Sequence, residues 1–315
     1  MDIANFTQIE FNNKYEEIYK SAISGIKSEI HPKAYILGGQ PGAGKSRLNQ
    51  HIKYFNDNNV AIINGDEYRK YHPHFREILD YYGDDFPKYT SEFSSRITQR
   101  LIEDLSDKKY NLSIEGTLRT SSVPLNTCRI LKEKNYNVSL YIMATKDKIS
   151  YLSTQLRYYN FKSKEMVSRA TPKEHHDMVF NSICTNLNEI EKSKKFDNIC
   201  IFDRQLNIIY DSVVEDTSAT EKLSNFYKKD YSKYEIDSIN GIINQLLEYT
   251  NKDFSEYVIP KLQEKVKQQY PENVRPSMIR RLKEKHNILN SDKKLDKAID
   301  EKDQDKLKTN YENER

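Results

Sequence analysis

The chain has no tryptophan, three cysteines in 315 residues, and no apolar run near the roughly 20 residues that a bilayer span requires. Cys128, Cys184 and Cys200 show no C-x-x-C spacing, and three cysteines cannot all pair. A disulfide scaffold is thereby set aside, and buried thiols in a reducing compartment are the expected state. An excess of one charge is missing too: 50 Lys and Arg against 47 Asp and Glu leave a formal net charge of +3. Such a balance gives no general electrostatic case for nucleic-acid or membrane partners. The opening residues Met1-Asp2-Ile3-Ala4-Asn5 lack the basic region and apolar stretch of a secretory signal, so a soluble cytoplasmic protein is expected. Glycine is scarce at nine residues, and several of them fall together in one stretch.

That stretch is Gly39-Gln40-Pro41-Gly42-Ala43-Gly44-Lys45-Ser46, which fits the phosphate-binding loop pattern G-x-x-x-x-G-K-[ST] at every fixed position. Ala34-Tyr35-Ile36-Leu37 before it reads as a short buried strand, and Lys45 to about Phe55 as the helix that follows. Glycines allow the backbone to fold around an anion, and the helix N-terminus adds partial positive charge. Lys45 is expected to reach the β- and γ-phosphates and the Ser46 hydroxyl to bind Mg²⁺, so a nucleoside triphosphate is the expected ligand.

Thr7-x-x-Glu10 ahead of Phe11 has the form of a capping box and predicts a helix to about Lys27. Strands are predicted at Tyr35–Leu37, Val60–Ile63, Leu112–Ile114, Val138–Ala144 and Asn198–Phe202, separated by long helical patterns. From Thr90 to Lys108, Phe93, Ile97, Leu101 and Leu105 recur on one helical face with Thr90 as a candidate cap. Another helix is predicted from Pro124 to Lys134. Alternating strands and helices predict an α/β fold: a P-loop kinase-like, doubly wound parallel sheet with a helical C-terminal extension. The expected division is a kinase domain over 1–215, a helical region over 216–288 and a charged tail over 289–315, disordered or a solvated helix.

In such sheets ligands lie at the carboxyl ends of the strands. Two predicted strand ends deliver carboxylates there: Val60–Ile63 leads into Asn64-Gly65-Asp66, and Leu112–Ile114 into Glu115-Gly116-Thr117. A carboxylate beside a phosphate loop can hold Mg²⁺ or accept the proton of an attacking hydroxyl. The competing reading is that Asp66 only caps the next helix. Arg157 and Arg169 follow the fourth strand, past a long helix begun near Lys146, where a mobile lid is expected to clamp the transferred phosphoryl group. Arg119 stands nearer a strand tip and suits an anionic substrate group. His72-Pro73-His74 and His175-His176 have no matching second pair at finger spacing, which sets zinc aside. Thr145-Lys146-Asp147-Lys148 approaches the guanine-reading T/N-K-x-D sequence, but its aspartate comes one position early, so ATP is favoured.

Several blocks together resemble one family. Gly38 through Lys45, His72-Pro73-His74-Phe75, Tyr110-Asn111-Leu112, Ile114-Glu115-Gly116-Thr117-Leu118-Arg119-Thr120 and Arg169-Ala170-Thr171-Pro172-Lys173-Glu174-His175-His176-Asp177 are similar, in order, to the zeta toxins of bacterial toxin–antitoxin systems. The similarity covers roughly residues 1 to 230. The resemblance implies an ATP-dependent kinase acting on the 3′-hydroxyl of UDP-N-acetylglucosamine, which inhibits cell-wall synthesis and is held in check by a helical antitoxin. It implies Asp66 as general base, Lys45 and Ser46 as nucleotide and metal contacts, and Arg157 and Arg169 as phosphate-clamping lid residues. Thr117, Arg119 and Thr127 fall on its sugar-nucleotide contacts, with Glu115 in the same pocket. Two positions depart from the pattern. Gln99 stands where some members carry a substrate-touching glutamate, and Gly65 where some carry a side chain able to hydrogen-bond.

Two other readings stay open on the residues alone. One is a kinase acting on a nucleic-acid end, an antibiotic or another small hydroxyl compound. The other is a nucleotide-dependent interaction module whose C-terminal helices bind a partner.

Overall fold

A computed structural model describes residues 3–164 and 166–249 of the chain. Helix α1 (Gln8–Ala22) begins at the foreseen capping box: Thr7 N–H donates to Glu10 Oε2 at 2.8 Å, and Glu10 N–H to Thr7 Oγ1 at 3.2 Å. It stops short of Lys27, because Gly25 adopts a φ of 76° and Lys27 N–H turns aside to Asn59 Oδ1 at 2.6 Å. There follow β1 (Lys33–Gly38), α2 (Lys45–Phe55), β2 (Ala61–Ile63) and the short α3 (Gly65–Tyr68). Next come α4 (Phe75–Tyr82), α5 (Phe86–Tyr89), α6 (Ser91–Asp107), β3 (Leu112–Glu115), α7 (Ser122–Glu133) and β4 (Asn137–Met143). The described part ends with α8 (Asp147–Lys162), α9 (Lys173–Ser193), β5 (Asn198–Phe202), β6 (Ile208–Asp211), α10 (Ala219–Lys228) and α11 (Lys233–Tyr249).

The sheet order is β2-β3-β1-β4-β5-β6, parallel throughout except for β6, which pairs antiparallel with β5. The doubly wound sheet expected from the alternation is therefore present, with an antiparallel edge strand added. Asp203 Oδ1 accepts from the N–H groups of Gln205 and Asn207, at 2.8 and 2.9 Å. That loop returns the chain on itself at once, so β6 needs no crossover helix. Because β1 is central and the chain winds off to either side of it, its carboxyl end is the switch point where a ligand crevice opens.

Side-chain alternation along β1 builds the two layers. Ala34 and Ile36 join a core with Phe11 and Tyr15 of α1, Leu101 of α6, Leu131 of α7 and Leu187 of α9. Tyr35 and Leu37 face the other way, onto Leu48 and Ile52 of α2 with Met143 and Phe202. The stripe Phe93, Ile97, Leu101 and Leu105 on α6 is wholly buried, as its period requires. Thr90 stands at the expected N-cap position of α6 but makes no side-chain capping bond: its hydroxyl donates to Phe86 O at 3.0 Å, back into the preceding turn. Cys128 and Cys200 are buried and Cys184 half-buried, all as free thiols.

The compact unit that carries the sheet runs to Tyr231, and α11 falls outside it. The helical pattern expected from Ser224 to Gln268 is broken at Lys229, whose extended backbone ends α10. The part of the expected helical region beyond 249 and the tail expected over 289–315 lie outside the described residues. Among the described residues, no helix is long and apolar enough to cross a membrane.

Replacing Leu101 by Ala should cost about 2–5 kcal/mol, the range for emptying a filled core site. Ile9, 73 % exposed in the first turn of α1, should tolerate Ala within about 0.5 kcal/mol. Urea denaturation of the two variants checks the contrast.

Candidate active site

The loop after β1 depends on three glycines with positive φ: 138° at Gly39, 76° at Gly42 and 102° at Gly44. Gly42 has a second reason to lack a side chain, since a Cβ there would lie 2.0 Å from the carbonyl oxygen of Ser150 in α8. Gly44 is the N-cap of α2, so the first free N–H groups of that helix point into the cup. Lys45 turns back over the loop and donates to Gly39 O at 2.8 Å and Gln40 O at 3.3 Å. Burial pushes its pKa down, with Glu115 acting in the opposite direction from 4.0 Å away. Ser46 is exposed on the first turn of α2. Behind the loop, Gln40 is buried and donates to Thr145 O at 2.5 Å and Ser150 Oγ at 2.9 Å, while Thr145 Oγ1 donates to Ala43 O at 2.8 Å. The sequence that resembled a guanine reader is thus part of the loop's support.

The neighbouring strand tips carry the two acids. Glu115, at the end of β3, accepts from Asn64 Nδ2 at 3.2 Å and Asn49 Nδ2 at 3.4 Å through Oε2, leaving Oε1 toward Lys45. Asp66 is not the cap of α3. Asn64 fills that position, its Oδ1 accepting from Asp66 N–H at 3.1 Å. The Asp66 carboxylate is 67 % exposed, and Arg69 Nε donates to its Oδ1 at 2.9 Å. Crowding by the surrounding protein would raise its pKa. The Arg69 hydrogen bond and charge, reinforced by Arg169 and Arg157, outweigh this and hold it below the ordinary carboxylate value. Arg69 is itself fixed by Pro87 O at 2.8 Å.

The remaining candidates divide by position. Arg157 lies within α8 rather than beyond it, and Arg169 in the segment leading to α9; both are exposed, and both act electrostatically on Asp66. Gly65 opens α3 against α6, where an added Cβ would meet Thr98 Oγ1 at 3.0 Å. Gln99 is exposed on α6 and donates to Glu103 Oε1 at 3.0 Å. Thr117 is half-buried beyond β3 and Arg119 exposed next to it. Thr127 Oγ1 donates to Val123 O of its own helix at 3.0 Å. A cavity of 390 Å³ near Ser21, Lys53, Tyr68 and Tyr71 is lined by none of these residues.

Residues 17–215 match the zeta toxin family. The chain belongs to that family. It is 38% identical over 252 residues to the toxin PezT of Streptococcus pneumoniae serotype 4, covering 79% of this chain and 100% of PezT. To the toxin zeta of Streptococcus pyogenes it is 38% identical over 213 residues, covering 67% of this chain and 74% of that one. A solved structure from the PezAT chromosomal toxin–antitoxin system of Streptococcus pneumoniae superposes with a TM-score of 0.73 at 34% identity, over 80% of this chain and 100% of that one. A complex of AvrRxo1-ORF1 with AvrRxo1-ORF2 shares the fold alone, at 14% identity and a TM-score of 0.56, over 80% of this chain and 88% of that one. The kinase-like P-loop architecture is thus a zeta toxin trait of this chain.

Sequence reasoning overlooked several neighbours of the candidate site. Arg69 stands one helical turn after Asp66, a spacing that reports an ion pair. Asn64 carries the ordinary helix-cap signal. Arg204 had no local signal: it sits in the β5–β6 loop, with Nη1 donating to Ser153 Oγ at 2.8 Å and Nε 3.9 Å from a Cβ built on Gly44.

Gly42→Ala should lower stability by several kcal/mol, because a left-handed φ and a backbone clash coincide there. Gly25, with a φ of 76° and nothing within 4 Å, should lose only about 1–2 kcal/mol on the same change. Thermal unfolding, with hydrogen exchange at residues 39–46, separates the two.

Proposed function

We propose that this zeta toxin is a kinase that transfers the γ-phosphate of ATP to the 3′-hydroxyl of UDP-N-acetylglucosamine, inhibiting cell-wall synthesis. The observation that carries this reading is the joint placement of two groups. A glycine cup with a buried Lys45 stands at the sheet's switch point after β1, and the Asp66 carboxylate follows β2, two strands along, within the electrostatic reach of Lys45, Arg157 and Arg169.

The steps assigned to the chain's residues follow. The backbone N–H groups of the loop from Gly39 to Ser46, Pro41 having none, receive the phosphates, and Lys45 exchanges its carbonyl partners for β- and γ-phosphate oxygens. Arg157 and Arg169 close over the γ-phosphate and offset its growing charge. Asp66 accepts the hydroxyl proton as the sugar oxygen bonds to phosphorus and the bond to the leaving ADP breaks. Its ion pair with Arg69 engages Oδ1, so Oδ2 is the oxygen assigned to the proton. Thr117, Arg119, Thr127 and Gln99 are assigned to the sugar nucleotide, with Gly65 leaving room beside them. Glu115, pointing to Lys45, is assigned to the phosphate end of that pocket. The Ser46 hydroxyl is an oxygen donor of the kind Mg²⁺ takes alongside phosphate oxygens; Mg²⁺ would there neutralise phosphate charge. An antitoxin partner is inferred from the PezAT system to which the chain is similar.

Incubating the purified chain with ATP, Mg²⁺ and UDP-N-acetylglucosamine should yield ADP and a sugar nucleotide one phosphate heavier by mass spectrometry. Folded protein at micromolar concentration that forms neither over hours contradicts the reading. Asp66→Asn should leave ATP binding nearly unchanged and lower turnover by about 10²–10⁴.

The pH profile carries a sign. The base works ionised, and its pKa is depressed, so kcat/KM should hold until the pH falls below the ordinary aspartate value of 3.8. Arg69→Gln removes the hydrogen bond and charge that lower it, so the acid limb should move to higher pH. An unmoved limb assigns the proton acceptor elsewhere.

A further inference from the structure

His176 has no part in the transfer steps, yet it is completely buried and its two ring nitrogens face partners on opposite sides. Nδ1 lies 3.0 Å from Asp177 Oδ1, and Nε2 lies 2.8 Å from Ser150 Oγ. Burial alone would raise the Asp177 pKa, but hydrogen bonds from Lys173 and His176 bring it below the ordinary value, so the carboxylate is ionised and can only accept. Nδ1 therefore carries a hydrogen. Burial lowers the pKa of the imidazole, which leaves the ring neutral and Nε2 an acceptor. The single O–H of Ser150 has three acceptors within reach, Nε2 at 2.8 Å, Asp147 O at 3.0 Å and Lys146 O at 3.2 Å; with Nε2 bare and nearest, the O–H is assigned to it, and the Ser150 oxygen accepts from Gln40 Nε2 at 2.9 Å. All donors now run one way, from Gln40 through Ser150 and His176 to Asp177.

This chain links three elements of the site. Gln40 is a loop residue, Ser150 lies on α8 with Arg157, and the segment bearing Arg169 runs into α9 ahead of His176. Gln40 Oε1 has no hydrogen-bond partner among the described residues, so the amide is oriented by its two N–H bonds alone. Ser150 also bears on the loop directly, since its carbonyl occupies the space a side chain at Gly42 would need. A shift of α8 is therefore felt by the loop through packing and through hydrogen bonds together.

We propose that Asp177, His176 and Ser150 form a positioning relay that holds the phosphate loop, through Gln40, in register with the arginine-bearing helices. His176 and Ser150 are then positioning residues for nucleotide binding, touching no substrate. The inference rests on reading the loop as the ATP site, but not on which hydroxyl accepts the phosphate.

The test is titration of the full-length chain with a non-hydrolysable ATP analogue and Mg²⁺, with thermal midpoints as a folding control. His176→Phe keeps the ring that meets Tyr151 at 5.4 Å and Phe180 at 6.5 Å, and removes both nitrogens. His176→Gln loses the ring but returns an amide oxygen within reach of Ser150. The relay predicts that H176F weakens analogue binding about tenfold or more, that H176Q stays within about threefold, and that S150A matches H176F. The double variant H176F/S150A should be no worse than either alone, because both cut one chain. A space-filling role predicts the reverse order, H176F near the parent and H176Q weak. That order, or parent-like binding by S150A, overturns the relay; S150A decides alone if the His176 variants do not fold. A parent chain that binds the analogue but phosphorylates no sugar nucleotide would refute the acceptor assignment while the variant order still decides the relay. A parent that binds no analogue refutes both.

Discussion

A buried ammonium group at the end of the central strand is the constraint that the rest of the site serves. Lys45 is only 8 % exposed, and a charge so placed is costly unless every proton finds an acceptor. The protein provides Gly39 O and Gln40 O at hydrogen-bond distance and Glu115 at 4.0 Å. The two carbonyls can face inward because Gly39 takes a backbone conformation with φ of 138°. These contacts have the strength suited to a placeholder. Two neutral carbonyls and a distant carboxylate satisfy the lysine, while phosphate oxygens would satisfy it better.

The same economy governs the acids. Glu115 and Asp66 come from adjacent strand tips but have opposite surroundings: one is drawn inward by Lys45, Asn49 and Asn64, the other is exposed and leans on Arg69. Arg69, Arg169 and Arg157, placed on separate elements, hold the Asp66 carboxyl below the ordinary value. As the proposed base, an Asp66 held by arginine is weaker than a free carboxylate. That suits a reaction in which stabilising the charge on the moving phosphoryl group matters more than proton removal.

What could be read from the sequence was what is local. The glycine loop is written in consecutive residues, the α6 stripe repeats along one helix, and the α1 cap spans four positions, so each is legible without the fold. Strand tips that deliver Asp66 and Glu115 were also legible, because β-rich runs end abruptly at Asn64-Gly65 and Glu115-Gly116. Strand β6 was missed because a four-residue strand returned by a tight Asp203 loop leaves no crossover to announce it. Thr90 takes the cap position that the sequence indicates, but its hydroxyl is turned back to Phe86 O instead of toward the N–H groups of α6. The support of Gln40 by Thr145 and Ser150, and of Ser150 by His176, joins residues far apart in the chain. Only the packed α8 and α9 reveal it.

The most direct measurement is a crystal structure of the chain with a non-hydrolysable ATP analogue, Mg²⁺ and UDP-N-acetylglucosamine. The account predicts the sugar 3′-oxygen about 3 Å from an Asp66 carboxylate oxygen and in line with the γ-phosphorus, with Lys45 moved from its carbonyls to the phosphates. An acceptor hydroxyl seated away from Asp66, or Lys45 still bound to Gly39 and Gln40 with nucleotide present, would contradict it.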